Sequence, residues 1–115
     1  MNINKVILIG RLGKEPHIIA CSNGSRMAML SVATSESWKD KVTGEKKQAT
    51  EWHNVVVTNQ GLVDIADKYL KKGLLVYIEG TLKSREVEKQ GTKSIQTEVV
   101  VNPYSGELQI LEKQQ

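Results

Sequence analysis

Short blocks rich in valine and isoleucine, divided by glycine-centred turns, predict a mainly β domain closed as a Greek-key barrel of five to six strands. One segment with helical spacing, between the third and fourth blocks, adds a single short helix. With 115 residues the chain has room for one domain with a real core and too little for two.

The first strand is expected at 6–9, Val-Ile-Leu-Ile, closed by Gly10 and Gly13. The second, 27–33, alternates loosely, and the third, 52–58, contains Val55-Val56-Val57. Leu62, Val63, Ile65, Ala66, Tyr69 and Leu70 then recur at the helical period. Lys68, Lys71 and Lys72 end that segment, and Gly73 stands where a helix-terminating glycine is expected. Strands follow at 74–82, 95–101 and, more briefly, 108–111. Asn23-Gly24-Ser25, Thr43-Gly44-Glu45, Gln90-Gly91-Thr92 and Asn102-Pro103 supply the turns. The domain is expected to fill 1–111, with 112–115 a frayed polar end. This order is that of an OB-fold, a barrel that binds single-stranded nucleic acid or oligosaccharide across one face and its loops.

Lysine and arginine number 16 against 13 acids, a net charge of +3 that permits a polyanionic partner without requiring one. Cys21 is the only cysteine, so no intrachain disulfide can form. No apolar run approaches the ~20 residues of a membrane span, and the run at 6–9 is too short for a signal peptide. A reducing, cytoplasmic location is the simplest expectation, which makes the glycosylation match at Asn23-Gly24-Ser25 fortuitous. His17 and His53 are the only histidines, and neither they nor Cys21 has metal-ligand spacing. Gly10-Arg11-Leu12-Gly13-Lys14 lacks the spacing of a phosphate loop. No catalytic residue, metal or cofactor is therefore expected, and the chain does not read as an enzyme.

The five aromatics point elsewhere. Trp38 and Trp52 lie among charged and polar residues, in Ser35-Glu36-Ser37-Trp38-Lys39-Asp40-Lys41 and Thr50-Glu51-Trp52-His53. Rings in such settings either cap a barrel end or are presented to bases, which stack on them. Both flank the Thr43-Gly44 turn at similar distances, so they are expected near one another across the hairpin. Lys39, Lys41, Lys46 and Lys47 surround that turn. Lys83, Arg85, Lys89 and Lys93 surround Gly91, offset by Glu86 and Glu88. The pattern reads as two hairpins with basic arms that track phosphates.

Asn4-Lys5-Val6-Ile7-Leu8-Ile9-Gly10-Arg11-Leu12-Gly13, Ala33-Thr34-Ser35-Glu36-Ser37-Trp38, Thr50-Glu51-Trp52-His53, Val76-Tyr77-Ile78-Glu79-Gly80 and Thr97-Glu98-Val99-Val100-Val101, in that order, resemble the bacterial single-stranded-DNA-binding protein family over nearly the whole chain. The resemblance implies an OB-fold homotetramer that wraps single-stranded DNA in replication, repair and recombination. It implies base stacking on Trp38 and Trp52, and DNA contacts are expected beside them from Lys5, Arg11, Lys39, Lys41, Lys83 and Arg85. It sets His53 near a subunit interface. Two further stacking aromatics usual in the family are replaced by Thr58 and Val87. The family's long flexible extension, whose acidic tip recruits replication and repair proteins, is absent from the sequence, which stops at Gln115. The competing readings are an OB module for RNA or for a protein assembly, and a small enzyme using Cys21 or a histidine.

Overall fold

A computed structural model describes residues 1–112. Its elements run β1 (Val6–Leu12), β2 (His17–Ala20), β3 (Arg26–Lys39), β4 (Lys46–Val57), α1 (Gln60–Tyr69), β5 (Leu75–Lys89), β6 (Thr92–Val101) and β7 (Glu107–Ile110).

Alternation along each strand sorts side chains into an inner and an outer row. Ala28, Leu30 and Val32 of β3, Val55 and Val57 of β4, Val76 and Ile78 of β5, and Val99 and Val101 of β6 form the inner rows and are buried in one core. β-branched side chains dominate these rows and suit the pleated surface. Five strands close on themselves in the order β1-β3-β4-β6-β5, with β5 pairing back to β1. All ladders are antiparallel except β4–β6, so the barrel is mixed. β2 and β7 are short additions on β3 and β5. At Gly10 an added Cβ would meet the Ala33 carbonyl oxygen at 2.2 Å, so a residue without a side chain lets β1 approach β3 closely.

The expected helix is present and begins earlier, at Gln60. The Asn59 side chain accepts a hydrogen bond from the Leu62 amide as its N-cap. Val63, Ala66 and Leu70 join the core. Gly73 does not cap this helix. Leu70 is the C-cap, in extended conformation, and Gly73, at φ +91°, forms the turn into β5 with its amide on the Leu12 carbonyl. The positive φ is what glycine supplies there. β2 was not anticipated, because Ile18-Ile19 is too short a run to show a period.

Two hairpins outgrow the barrel. β3 and β4 stay paired to Lys39↔Lys46, and β5 and β6 to Lys89↔Thr92. Gln90 and Gly91 both have positive φ, the requirement of a tight two-residue hairpin turn. The expected strands at 27–33 and 95–101 are thus only the barrel portions of longer arms, whose outer parts lack apolar alternation because neither face is covered. Among the described residues no helix is long and apolar enough to cross a membrane.

Candidate nucleic-acid interface

Strand register decides which side chains share a face, since directly opposed residues lie on the same side. Arg11 pairs with Ala33, and Ala33 with Trp52, so these three cross β1, β3 and β4 as one outer row. They line a shallow groove of ≈ 440 Å³ with Ile9 and Leu75. Trp52 is 60% exposed. Its ring lies over Gly13, where an added Cβ would stand 2.2 Å from Cζ3. The ring thus occupies the space that a side chain at residue 13 would need, and much of it remains open.

The same outer row continues along the β3–β4 arm through Ser35 opposite Thr50, Ser37 opposite Gln48 and Lys39 opposite Lys46. The Ser35 and Thr50 hydroxyls are hydrogen-bonded at 3.0 Å. No acid interrupts this row. The reverse face carries Thr34 opposite Glu51, Glu36 opposite Ala49 and Trp38 opposite Lys47.

This register corrects the expectation that the tryptophans are neighbours. Trp52 faces Ala33, five positions along β3 from Trp38, a separation of about 17 Å along a strand. An odd offset also puts the two rings on opposite faces. Trp38 lies five residues before Thr43 and Trp52 eight after Gly44, and this unequal spacing leaves them unpaired across the hairpin. Trp38 is 47% exposed, in its own recess beside Lys39, Gly44 and Lys46.

The second arm sorts its charges in the same way. Lys83, Arg85, Val87 and Lys89 share a face with Ser94, Gln96 and Glu98, while Glu86 and Glu88 lie on the other. The β4–β6 ladder, which aligns Val56 with Val100, makes this charged face continuous with the Trp52 side of the barrel. The acids that offset these lysines in the sequence are therefore turned away in the fold.

The candidate cations fall into two groups. Lys5 is ion-paired to Glu79 at 3.2 Å. Arg11 bonds the Gly73 carbonyl at 3.0 Å and Glu112 at 2.8 Å. Arg85 bonds Glu98 at 2.7 Å. Lys39, Lys41 and Lys83 make no ion pair among the described residues. Glu112, assigned to the tail in the sequence, also accepts from the Leu75 amide. The rest of that tail lies outside the described residues. The Arg11 hydrogen bond, then the Leu75 amide, holds the Glu112 carboxyl below the usual glutamate range.

His53 stands opposite Val32 on the inner side, with Nε2 2.8 Å from the Thr34 hydroxyl. Thr58 follows β4 and bonds the Val101 carbonyl. Val87 sits half-buried in the second arm opposite Ser94. On the outer side of β1 and β5, Ile7 and Ile9 are 55% and 54% exposed beside Glu79 and Tyr77. The Tyr77 hydroxyl bonds Glu79, which raises the Tyr77 pKa and, ahead of the Lys5 contact, lowers that of Glu79.

Two participants were not singled out in the sequence. In the sequence Gly13 reads as a strand terminator and as part of the rejected phosphate-loop match. Glu98 is 7% exposed although its side chain is charged. The acid inside the valine run Thr97-Glu98-Val99-Val100-Val101 was the signal available.

The model of the "Single-strand binding protein family" matches residues 3–111. A "Single-stranded DNA-binding protein" of Rickettsia typhi is 43% identical over 112 residues, covering 96% of this chain and 74% of the relative. Its counterpart in Rickettsia prowazekii has the same identity and coverage. A solved structure described as "Plasmodium falciparum SSB complex with ssDNA" superposes with a TM-score of 0.87 at 40% identity, covering 97% of each chain.

Proposed function

The chain belongs to the single-strand binding protein family, a family of non-enzymatic DNA-binding proteins, and from that premise we propose that its outer face binds single-stranded DNA with little regard to sequence. The proposed setting is replication, repair and recombination in the cytoplasm. One observation carries the residue-level reading: Trp52, Arg11, Lys39, Lys83 and Arg85 share a continuous outer face whose two arms hold a single acid, Glu98, already paired to Arg85. Bases stack on Trp52 and, at a separate point, on Trp38. Phosphates follow Lys39, Lys41, Lys83 and Arg85, with Lys5 and Arg11 at the barrel. Lys39 and Lys46 oppose one another directly, a like-charge pair that an intervening phosphate relieves.

The test is intrinsic fluorescence during titration with poly(dT). DNA quenches the emission. Trp52→Ala weakens binding by about 1–3 kcal/mol, as for loss of one stacked base, and Trp38→Ala by less, because Glu36 and Glu51 share its face. Neither substitution unfolds the protein, both rings being substantially exposed. Unfolding in place of weakened binding would assign the rings to structure, and tighter binding to poly(U) than to poly(dT) would favour an RNA module.

We also propose that the protein assembles as a homotetramer. The exposed Ile7 and Ile9 beside Tyr77 offer an apolar stripe suited to burial against another copy. The family resemblance adds His53 to a subunit contact. Light scattering is expected to give about four times the 12.8 kDa of one chain, and His53→Ala to loosen the assembly before it melts the barrel. A monomer mass at micromolar concentration rules the tetramer out.

A further inference from the structure

Glu98 is an acid on a face otherwise arranged for an anion, and simple electrostatics makes it a defect. Its environment points to a use. The carboxylate is 7% exposed, Oε1 accepts from Arg85 Nε at 2.7 Å, and Oε2 is buried without a hydrogen-bond partner. A buried carboxylate whose protein counter-ion is one guanidinium holds that group firmly, because separating the pair strands a charge out of water. Exposed ion pairs have no such grip.

Arg85 itself is 51% exposed. Its Nε is committed to Glu98, and the guanidinium makes no other hydrogen bond among the described residues. The two Nη groups thus remain for a ligand, in a planar fork whose spacing matches two phosphate oxygens. A small cleft of ≈ 140 Å³, opening where β4 and β6 part, is lined by both Trp52 and Glu98, so the carboxylate that anchors Arg85 shares a cleft with the exposed indole.

We propose that Glu98 is a positioning residue that holds Arg85 as a preformed phosphate fork beside the Trp52 stacking site. The inference rests on the single-stranded-DNA reading of this face. An unanchored arginine has to give up its rotamer freedom on binding DNA, whereas the anchored one has already done so. Lysine cannot replace it, since an ammonium, although it has three donors, is a rotatable point charge on a flexible stem and presents no planar fork.

The experiment turns on the sign of an effect. Removing an acid from a DNA-binding face ordinarily tightens binding. Positioning requires that Glu98→Gln weaken poly(dT) binding, by about two- to tenfold for the ordering of one long side chain. In an Arg85→Ala background, with nothing left to position, the same substitution is expected to leave affinity unchanged or raise it slightly. Arg85→Lys is expected to bind as weakly as Arg85→Ala. If Glu98→Gln is poorly folded by circular dichroism, the lysine variant alone decides: wild-type affinity overturns the proposal. So does tighter binding by Glu98→Gln, or an Arg85→Ala variant that binds like wild type. Failure of the wild-type protein to bind poly(dT) is a different result and removes the functional reading itself.

Discussion

Trp52 and Gly13 form the smallest part of the proposed interface. The glycine leaves open the space into which the six-membered ring of the indole reaches. Gly13→Ala puts a methyl 2.2 Å from Cζ3, so the ring has to leave its place. Gly13 is not among the glycines with positive φ, and alanine therefore meets no backbone strain there. The expected outcome is a loss of DNA affinity approaching that of Trp52→Ala, about 1–3 kcal/mol, with little change in the urea midpoint. Full retention of affinity would mean that stacking does not depend on the ring's placement. The exposure of Trp52 was legible from its neighbours, since Thr50, Glu51, His53 and Asn54 offer an indole no apolar partner. Gly13 was not legible as its neighbour, because that contact joins residues far apart in the chain and leaves no local pattern. Glu98 was half-legible: its place among valines marks burial, but nothing local names Arg85 as the partner.

Within the elements, alternation and register do most of the sorting. Lysines and acids are mixed along the sequence of the second arm, yet a period of two sends Lys83, Arg85 and Lys89 to one face and Glu86 and Glu88 to the other. That separation was implicit in the sequence once the arm was taken as a strand. Trp38 was misjudged for the complementary reason. Its face depends on the pairing Lys39↔Lys46, set by a loop whose length no periodicity reveals. The helix was legible because its apolar spacing is long enough to count, and β2 was hidden because four residues are not. The corrected register carries a consequence for binding. Positions about 17 Å apart along the strand and facing opposite sides have no directly opposed neighbour in common, so the losses in Trp38→Ala, Trp52→Ala and the double variant should add to within about 0.5 kcal/mol. Coupling well beyond that, measured in a double-mutant cycle by fluorescence anisotropy, would mean that the arm twists enough to bring both rings onto one stretch of DNA.

Across the whole molecule, the modest charge of +3 understates the attraction for DNA because the charges are unevenly paired. Lys5, Arg11 and Arg85 already have carboxylates as counter-ions, whereas Lys39, Lys41 and Lys83 are exposed and make no ion pair among the described residues. Binding single-stranded DNA through a free lysine releases a condensed counter-ion and contributes about −0.7 per contact to the slope of log K against log salt. A lysine or arginine that must share or leave its protein partner contributes less. On the proposed reading, in which Thr58 and Val87 stand where the family resemblance implies further stacking aromatics, the lysines carry a larger share of the affinity, and stacking itself is insensitive to salt. The expected outcome is a clear fall of poly(dT) affinity with added salt. Lys41→Ala and Lys83→Ala should each make the slope shallower by about 0.7. Lys5→Ala and Arg11→Ala should lower affinity with a smaller change in slope. Fluorescence titrations over a tenfold range of salt measure all of these together. Equal slope changes for paired and unpaired cations would show that the ion pairs do not persist on DNA, and a flat response in the unaltered protein would remove the two arms from the binding surface.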